Sequence, residues 1–267
     1  TQRNFFPSVS TVVQQSRRNY FFTATPKMSA KHERGMNNEE VYGTNLITVS
    51  ADELLDCGAI IPPTVNVHTF DTVRTKEEVA EHDADTVLRV LVKDDAERVL
   101  VSAPSARIIN AMMAFTDIFR ELRSRDYNVM TITSKHGAII NGVKTSRAKF
   151  FEALNQFSDR GEKFVLFHYS ILSEGINVHG LTNVVLLRNL STVEMAQTIG
   201  RVIRLDTQDR KNISNGTLRP RAYHNYNKPT GFISIPVYNN YGKATAKRVQ
   251  ATVDTIFTKG RPATSWI

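Results

Sequence analysis

The chain has 267 residues, 41% of them hydrophobic and 22% charged, enough for one large domain or two small ones with a buried core. No apolar run approaches the roughly 20 residues that span a bilayer, no secretory leader is visible, and Cys57 is the only cysteine. A membrane protein, an internal disulfide and a cysteine-rich zinc site are therefore not expected, and an intracellular, cytoplasmic setting is. The net charge of +8 suggests a polyanionic partner such as nucleic acid, although a merely basic soluble protein would show the same balance.

In chain order, "NYFFTATPK" reads as a strand ending at Pro26, because aromatic residues favour strands and proline stops the ladder. In "SADELLDCG", Ser50 and Glu53 form a capping box and Gly58 suits a helix C-terminus. "IIPPTVNVHTFDTV", with Pro62 and Pro63, reads as an extended interdomain connector with a short strand. From about Lys76 helices and short apolar strands alternate. "KEEVAEHDADTVLRVLV", "SARIINAMMAFTDIFRELRSR", "SRAKFFEALNQFSD" and "STVEMAQTIGRVIRL" are expected as helices, and "ERVLVSAP", "YNVMTITS", "EKFVLFHY" and "TNVVLLRN" as strands.

This alternation predicts an α/β fold with a parallel sheet and helices on both faces. Ligands in such sheets bind at the carboxyl ends of the strands, here after Val101, Ile132, Phe167 and Leu187. Asp206 to Thr230 is polar and aperiodic and reads as a long loop. Its Tyr223, His224 and Tyr226, interleaved with Arg219, Arg221 and Lys228, suit either a stacking surface for single strands or a plain solvated loop. "GFISIPVY" is a final strand and "KATAKRVQATVDTIF" a basic C-terminal helix. The histidines lack metal-ligand spacing, so no metal site is expected.

One segment carries a chemical suggestion. In "STVEMAQTIGRVIRL", Arg201 and Arg204 are three apart, which places both on one face of a helix, with Gln197 one turn earlier. Planar guanidiniums suit phosphate oxygens, and Gly200 leaves room for a close approach. Taken alone, such a pattern fits a surface helix with two solvated arginines better.

Its surroundings change that balance. "SEGIN" and then "QTIGRVIR" resemble motifs V and VI of superfamily 2 helicases and translocases of the DEAD/DEAH type, in the usual order and at the usual separation. "VLVSAPSARIINAM" is similar to motif IV, and "FFTATPK" to motif III. The resemblance runs from about Tyr20 to Leu205. It implies a RecA-like fold. Residues 1–61 would be the end of a first RecA-like domain with its connector, and 62–267 a second RecA-like domain. The terse loops suggest a compact, phage-like helicase.

The resemblance also implies roles. Arg201 and Arg204 would be arginine fingers on the γ-phosphate of ATP, with Gln197 coupling. Glu174, Gly175, Asn177 and Gly200 would line the ATP cleft. Thr23, Ala24 and Thr25 would relay nucleotide state between domains. Ser102, Ser134, Lys135 and Ser173 would contact the backbone of DNA or RNA. Two departures stand out: Asn177 where many relatives carry Asp, and Tyr169 where many carry Thr. The phosphate-cradling "GxxxxGK[ST]" loop and the Mg²⁺-holding "DExx" motif are not found. With no initiating Met, the chain is expected to be a C-terminal portion, inactive alone, whose N-terminal RecA-like partner domain supplies the Mg²⁺ ligands. The other reading is a RecA-like module that binds nucleic acid or a partner without turnover.

Overall fold

The computed structural model describes residues 2–31, 34–71, 78–169, 178, 180–238 and 242–266. Three helices, α1 (Gln2–Gln15), α2 (Glu39–Tyr42) and α3 (Ala51–Asp56), precede the main sheet. That sheet contains β2 (Pro63–Phe70), β3 (Arg98–Ser102), β4 (Asn128–Thr133), β5 (Gly137–Ile140), β6 (Val143–Thr145), β7 (Phe164–His168), β8 (Asn183–Leu186) and β9 (Gly231–Tyr238). Their spatial order is β2-β9-β8-β3-β7-β4-β5-β6. From β2 to β4 in that order all neighbours are parallel, and β5 and β6 finish the edge antiparallel. A separate parallel pair joins β1 (Lys27–Met28) to β10 (Ser265–Trp266).

The strands are apolar on both faces because both faces are covered. Leu100, Leu166 and Val184 pack with Phe150 and Leu154 of α7 (Arg147–Asp159), Met195 and Ile199 of α8 (Thr192–Val202), and Val249 of α10 (Lys243–Val253). Their neighbours Val99, Val165 and Val185 point the other way. They meet Val87 and Val90 of α4 (Val79–Lys93), Ile109 and Met112 of α5 (Ala106–Phe115), and Leu122 of α6 (Ile118–Ser124). The chain goes from β3 out to β6, returns to β7, and crosses to β8. Adjacent β3 and β8 therefore feed helices on opposite faces, which opens a crevice at their carboxyl ends.

Several expectations need correction. Tyr20 to Pro26 forms no strand: Phe22 is 91% exposed, and no neighbouring strand takes up its backbone hydrogen bonds. The supposed connector is a full edge strand, β2, paired with β9 along its whole length, and Ile61 is completely buried in the core. The long amphipathic helix is two, α5 and α6. At the break Thr116 is extended, its hydroxyl donates to the Met112 carbonyl, and the same oxygen accepts from Ile118 N–H. The expected 206–230 loop contains α9 (Thr207–Ser214), capped by Asp206, and a 3-10 turn at Tyr223–Asn225. The α3 capping box forms as expected.

Candidate functional site

The crevice is lined first by Ser102, the last residue of β3, and His168, the last of β7. Ser102 is 1% exposed and His168 4%, and Ser102 Oγ lies 3.0 Å from His168 Nε2. Burial, reinforced by the Arg188 and Arg201 guanidiniums, pushes the His168 imidazole down to about 3, so it is neutral. Its Nδ1 is buried with no hydrogen-bond partner among the described residues. Arg188, just past β8, donates to Glu194 Oε1 at 3.1 Å and lies 5.2 Å from the centre of the Tyr169 ring. Ser102, expected to touch a nucleic-acid backbone, is instead sealed inside this cluster. Parallel pairing of β3 with β7 puts its side chain against His168.

The second element is α8. Ser191 accepts from Glu194 N–H, and the Glu194 carboxylate takes the Ser191 N–H, a complete capping box. Met195, Ile199 and Val202 face the core. Gln197 and Gly200 are half-buried on the remaining surface. A Cβ on Gly200 would meet nothing among the described residues.

Arg201 is 6% exposed and Arg204 half-buried. The helix ends at Val202 with Ile203 as cap, so Arg204 has left it and the shared helical face does not hold. Instead Arg204 forms a backbone bridge with Ile60, and the Ile203 carbonyl accepts from Ile61 N–H at 2.9 Å. Arg201 still senses the Arg204 guanidinium. Burial first, then Arg204, makes protonation of Arg201 less favourable than usual; burial and Arg210 do the same to Arg204. A run of like charges so placed suits an anion.

The remaining candidates are scattered. Ser134 and Lys135 are exposed in the turn between β4 and β5. Beside them is a cleft of about 230 Å³ whose walls include Ser134, Thr145 and Arg147. Thr23 and Ala24 are exposed and Thr25 half-buried, with Thr23 Oγ1 accepting from Thr25 N–H at 3.1 Å. Ser173, Glu174, Gly175 and Asn177 lie outside the described residues. The proposed stacking surface is not one: Tyr226 and Lys228 are buried, and Arg221 is held by Asp52 and Asp56. Among the described residues no group of three or more His, Cys, Asp or Glu side chains could hold a metal, and no helix is long and apolar enough to cross a membrane.

Lys228 and Asp209 fix the end of α8; Asp209 escaped the sequence reading, Lys228 entered it only as part of a possible stacking surface, and no motif would have flagged this role. The β5–β6 hairpin did carry a signal. Asn141-Gly142, both at positive φ, is the dipeptide of a two-residue hairpin turn.

Residues 83–206 match the family described as helicase conserved C-terminal domain. No curated protein sequence matches the chain. Among solved structures the fold is shared with the ATP-dependent Type ISP restriction-modification enzyme LlaBIII bound to DNA, at a TM-score of 0.54 and 13% identity. That match covers 92% of this chain and 19% of the other. It is shared too with a fragment assigned to the HsdR subunit of a type I restriction enzyme from Vibrio vulnificus YJ016, at 0.55 and 20%, covering 86% of this chain and 40% of that one. The chain thus spans less than half the length of these relatives. Residues 83–206 are thus similar to the helicase conserved C-terminal domain, and the chain has the RecA-like α/β fold.

Proposed function

We propose that this chain is the C-terminal half of an ATP-driven nucleic-acid helicase or translocase, and that it presents Arg201 and Arg204 to the γ-phosphate of an ATP held by an N-terminal RecA-like domain. The supporting observation is the arginine pair at the end of α8. Both cations are partly buried; Arg204 further disfavours the charge on Arg201, and Arg210 that on Arg204. Phosphate oxygens between them would relieve that repulsion, most strongly when negative charge spreads in the transition state. The ATP fits this donor set. Mg²⁺ does not fit the described residues, and its ligands are assigned to the partner domain.

The exposed turn at Ser134 and Lys135, with Arg147 close by, is the surface we assign to DNA or RNA. Contacts there would go to phosphates and would follow any sequence, as translocation requires.

The test is nucleic-acid-stimulated ATP hydrolysis by the intact protein. Arg204→Ala and Arg201→Ala should each cut turnover by orders of magnitude while nucleic-acid binding persists. Unchanged turnover in both would sink the finger assignment and leave a RecA-like binding module.

A further inference from the structure

We propose that Lys228 is a positioning residue for the arginine pair, its buried ammonium holding the turn that carries Arg204 out of α8. This rests on the reading of Arg201 and Arg204 as phosphate-facing groups. Lys228 Nζ donates to the carbonyls of Val202 and Arg204, each at 2.6 Å. The carbonyl between them, that of Ile203, accepts from Ile61 N–H. The last carbonyls of a helix have no partner within it, and water or a left-handed glycine commonly satisfies them. Here Ile203 is not left-handed, and the buried Lys228 side chain takes the carbonyl of Val202, the last helical residue, together with that of Arg204 beyond it.

That side chain is itself fixed. The Lys228 and Asn227 backbone N–H groups donate to the two oxygens of Asp209, both at 3.0 Å, and Asp209 is buried. Gly231, three residues on, permits the close passage of the two backbones: a Cβ there would lie 2.3 Å from the Val202 carbonyl oxygen. The segment after α8 is therefore a clamp that returns to grip the helix end.

The choice of residue is informative. Lys228 is 2% exposed. Burial, with Arg98 and Arg204 nearby, outweighs Asp206 and Asp209 and pushes the ammonium down to about 7. An apolar side chain would fill the space without that cost. What only a multiple donor supplies is a fixed position for two carbonyls on either side of Ile203. Arg204 needs it, because beyond Val202 no helix sets its backbone, and a finger stabilises a transition state only when it is already in place.

The experiment is a double-mutant cycle in the intact, ATP-hydrolysing protein, with Lys228→Met, Arg204→Ala and the pair together. Turnover, KM for ATP, and affinity for ADP–aluminium fluoride against a non-hydrolysable ATP analogue are measured. Lys228→Met should lower kcat about tenfold to a hundredfold, leave KM within about twofold, and weaken only the transition-state mimic. The double variant should be no worse than Arg204→Ala alone. Wild-type turnover in Lys228→Met beside an impaired Arg204→Ala, or losses that multiply, would overturn the role of Lys228 and leave the fingers standing. Unimpaired Arg204→Ala and Arg201→Ala would remove the fingers, and with them the purpose of the clamp. If Lys228→Met does not fold, the same cycle is run with Lys228→Arg, which keeps the donors. It should retain most turnover; losses that multiply with Arg204→Ala would again overturn the role.

Discussion

Ser102 Oγ and His168 Nε2 lie 3.0 Å apart at the carboxyl ends of neighbouring parallel strands, both closed off from water. The pair occupies the place where a ligand would enter many α/β sheets, yet it serves the interior. Ser102→Ala should therefore cost stability, about 1–3 kcal/mol, because it leaves a second imidazole nitrogen unsatisfied. Denaturant unfolding measures the loss, and nucleic-acid affinity should not change. Lost affinity at full stability would restore a contact role to Ser102.

His168 carries a pH signature. Its folded-state value, about 3, lies below the ordinary 6.5, so below pH 6.5 the unfolded chain binds a proton that the folded chain refuses. Its contribution to stability is complete above pH 6.5 and is lost as pH falls toward 3. His168→Gln should flatten this acid limb in unfolding curves taken from pH 7 to 4. An unaltered limb would mean that other groups cause it.

Asp94 pins the edge strand. Its carboxylate accepts from Asn66 Nδ2 at 3.1 Å and Ser234 Oγ at 2.5 Å, and His68 Nε2 lies 3.0 Å away. Burial works to raise its pKa, but these hydrogen bonds prevail and hold it below the usual aspartate value. Stability from Asp94 is thus present above the ordinary value and lost as pH falls through the depressed one. Asp94→Ala should cost roughly 3 kcal/mol, and amide exchange in β2 should accelerate more than in β3. Uniform exchange across the sheet would contradict a local role.

The two arginines should not respond alike. Arg204 is the more accessible and Arg201 the more buried. Arg204→Ala should lower ATP turnover by about 10³-fold or more with the melting temperature little changed. Arg201→Ala should reduce both, by removing a buried guanidinium close to His168. Calorimetry beside turnover separates the two cases. Equal thermal losses would show that Arg204 too is part of the packing.

How much of this the sequence discloses depends on the kind of signal. The parallel strands β3, β4, β7, β8 and β9 were readable because their apolar runs are short and regularly spaced, and α7 and α8 begin at serine caps. The end of α8 was not readable. Helical spacing continues through Arg204, and the chain leaves the helix because Ile60, Ile61 and Lys228 capture its carbonyls and backbone. Those partners are remote in sequence. For the same reason α9 was hidden: it has little apolar periodicity, and it is held by the Asp206 cap and by Asp209 reaching Asn227 and Lys228. The opposite error occurred at Tyr20 to Pro26, where β-favouring residues lack a sheet to join.

The turn at Arg204 also has a place in the order of folding. Its partners lie on both sides of the domain sequence, and Thr230 bonds to Pro62 across 168 positions of chain. Contacts of such separation are entropically costly to close and form after the local ones. The hydrogen bonds of α8 are local, but the turn at its end waits until β9 has been made and β2 has docked beside it. A growing chain that stopped before Gly231 would carry Arg204 in its sequence and not yet in its place.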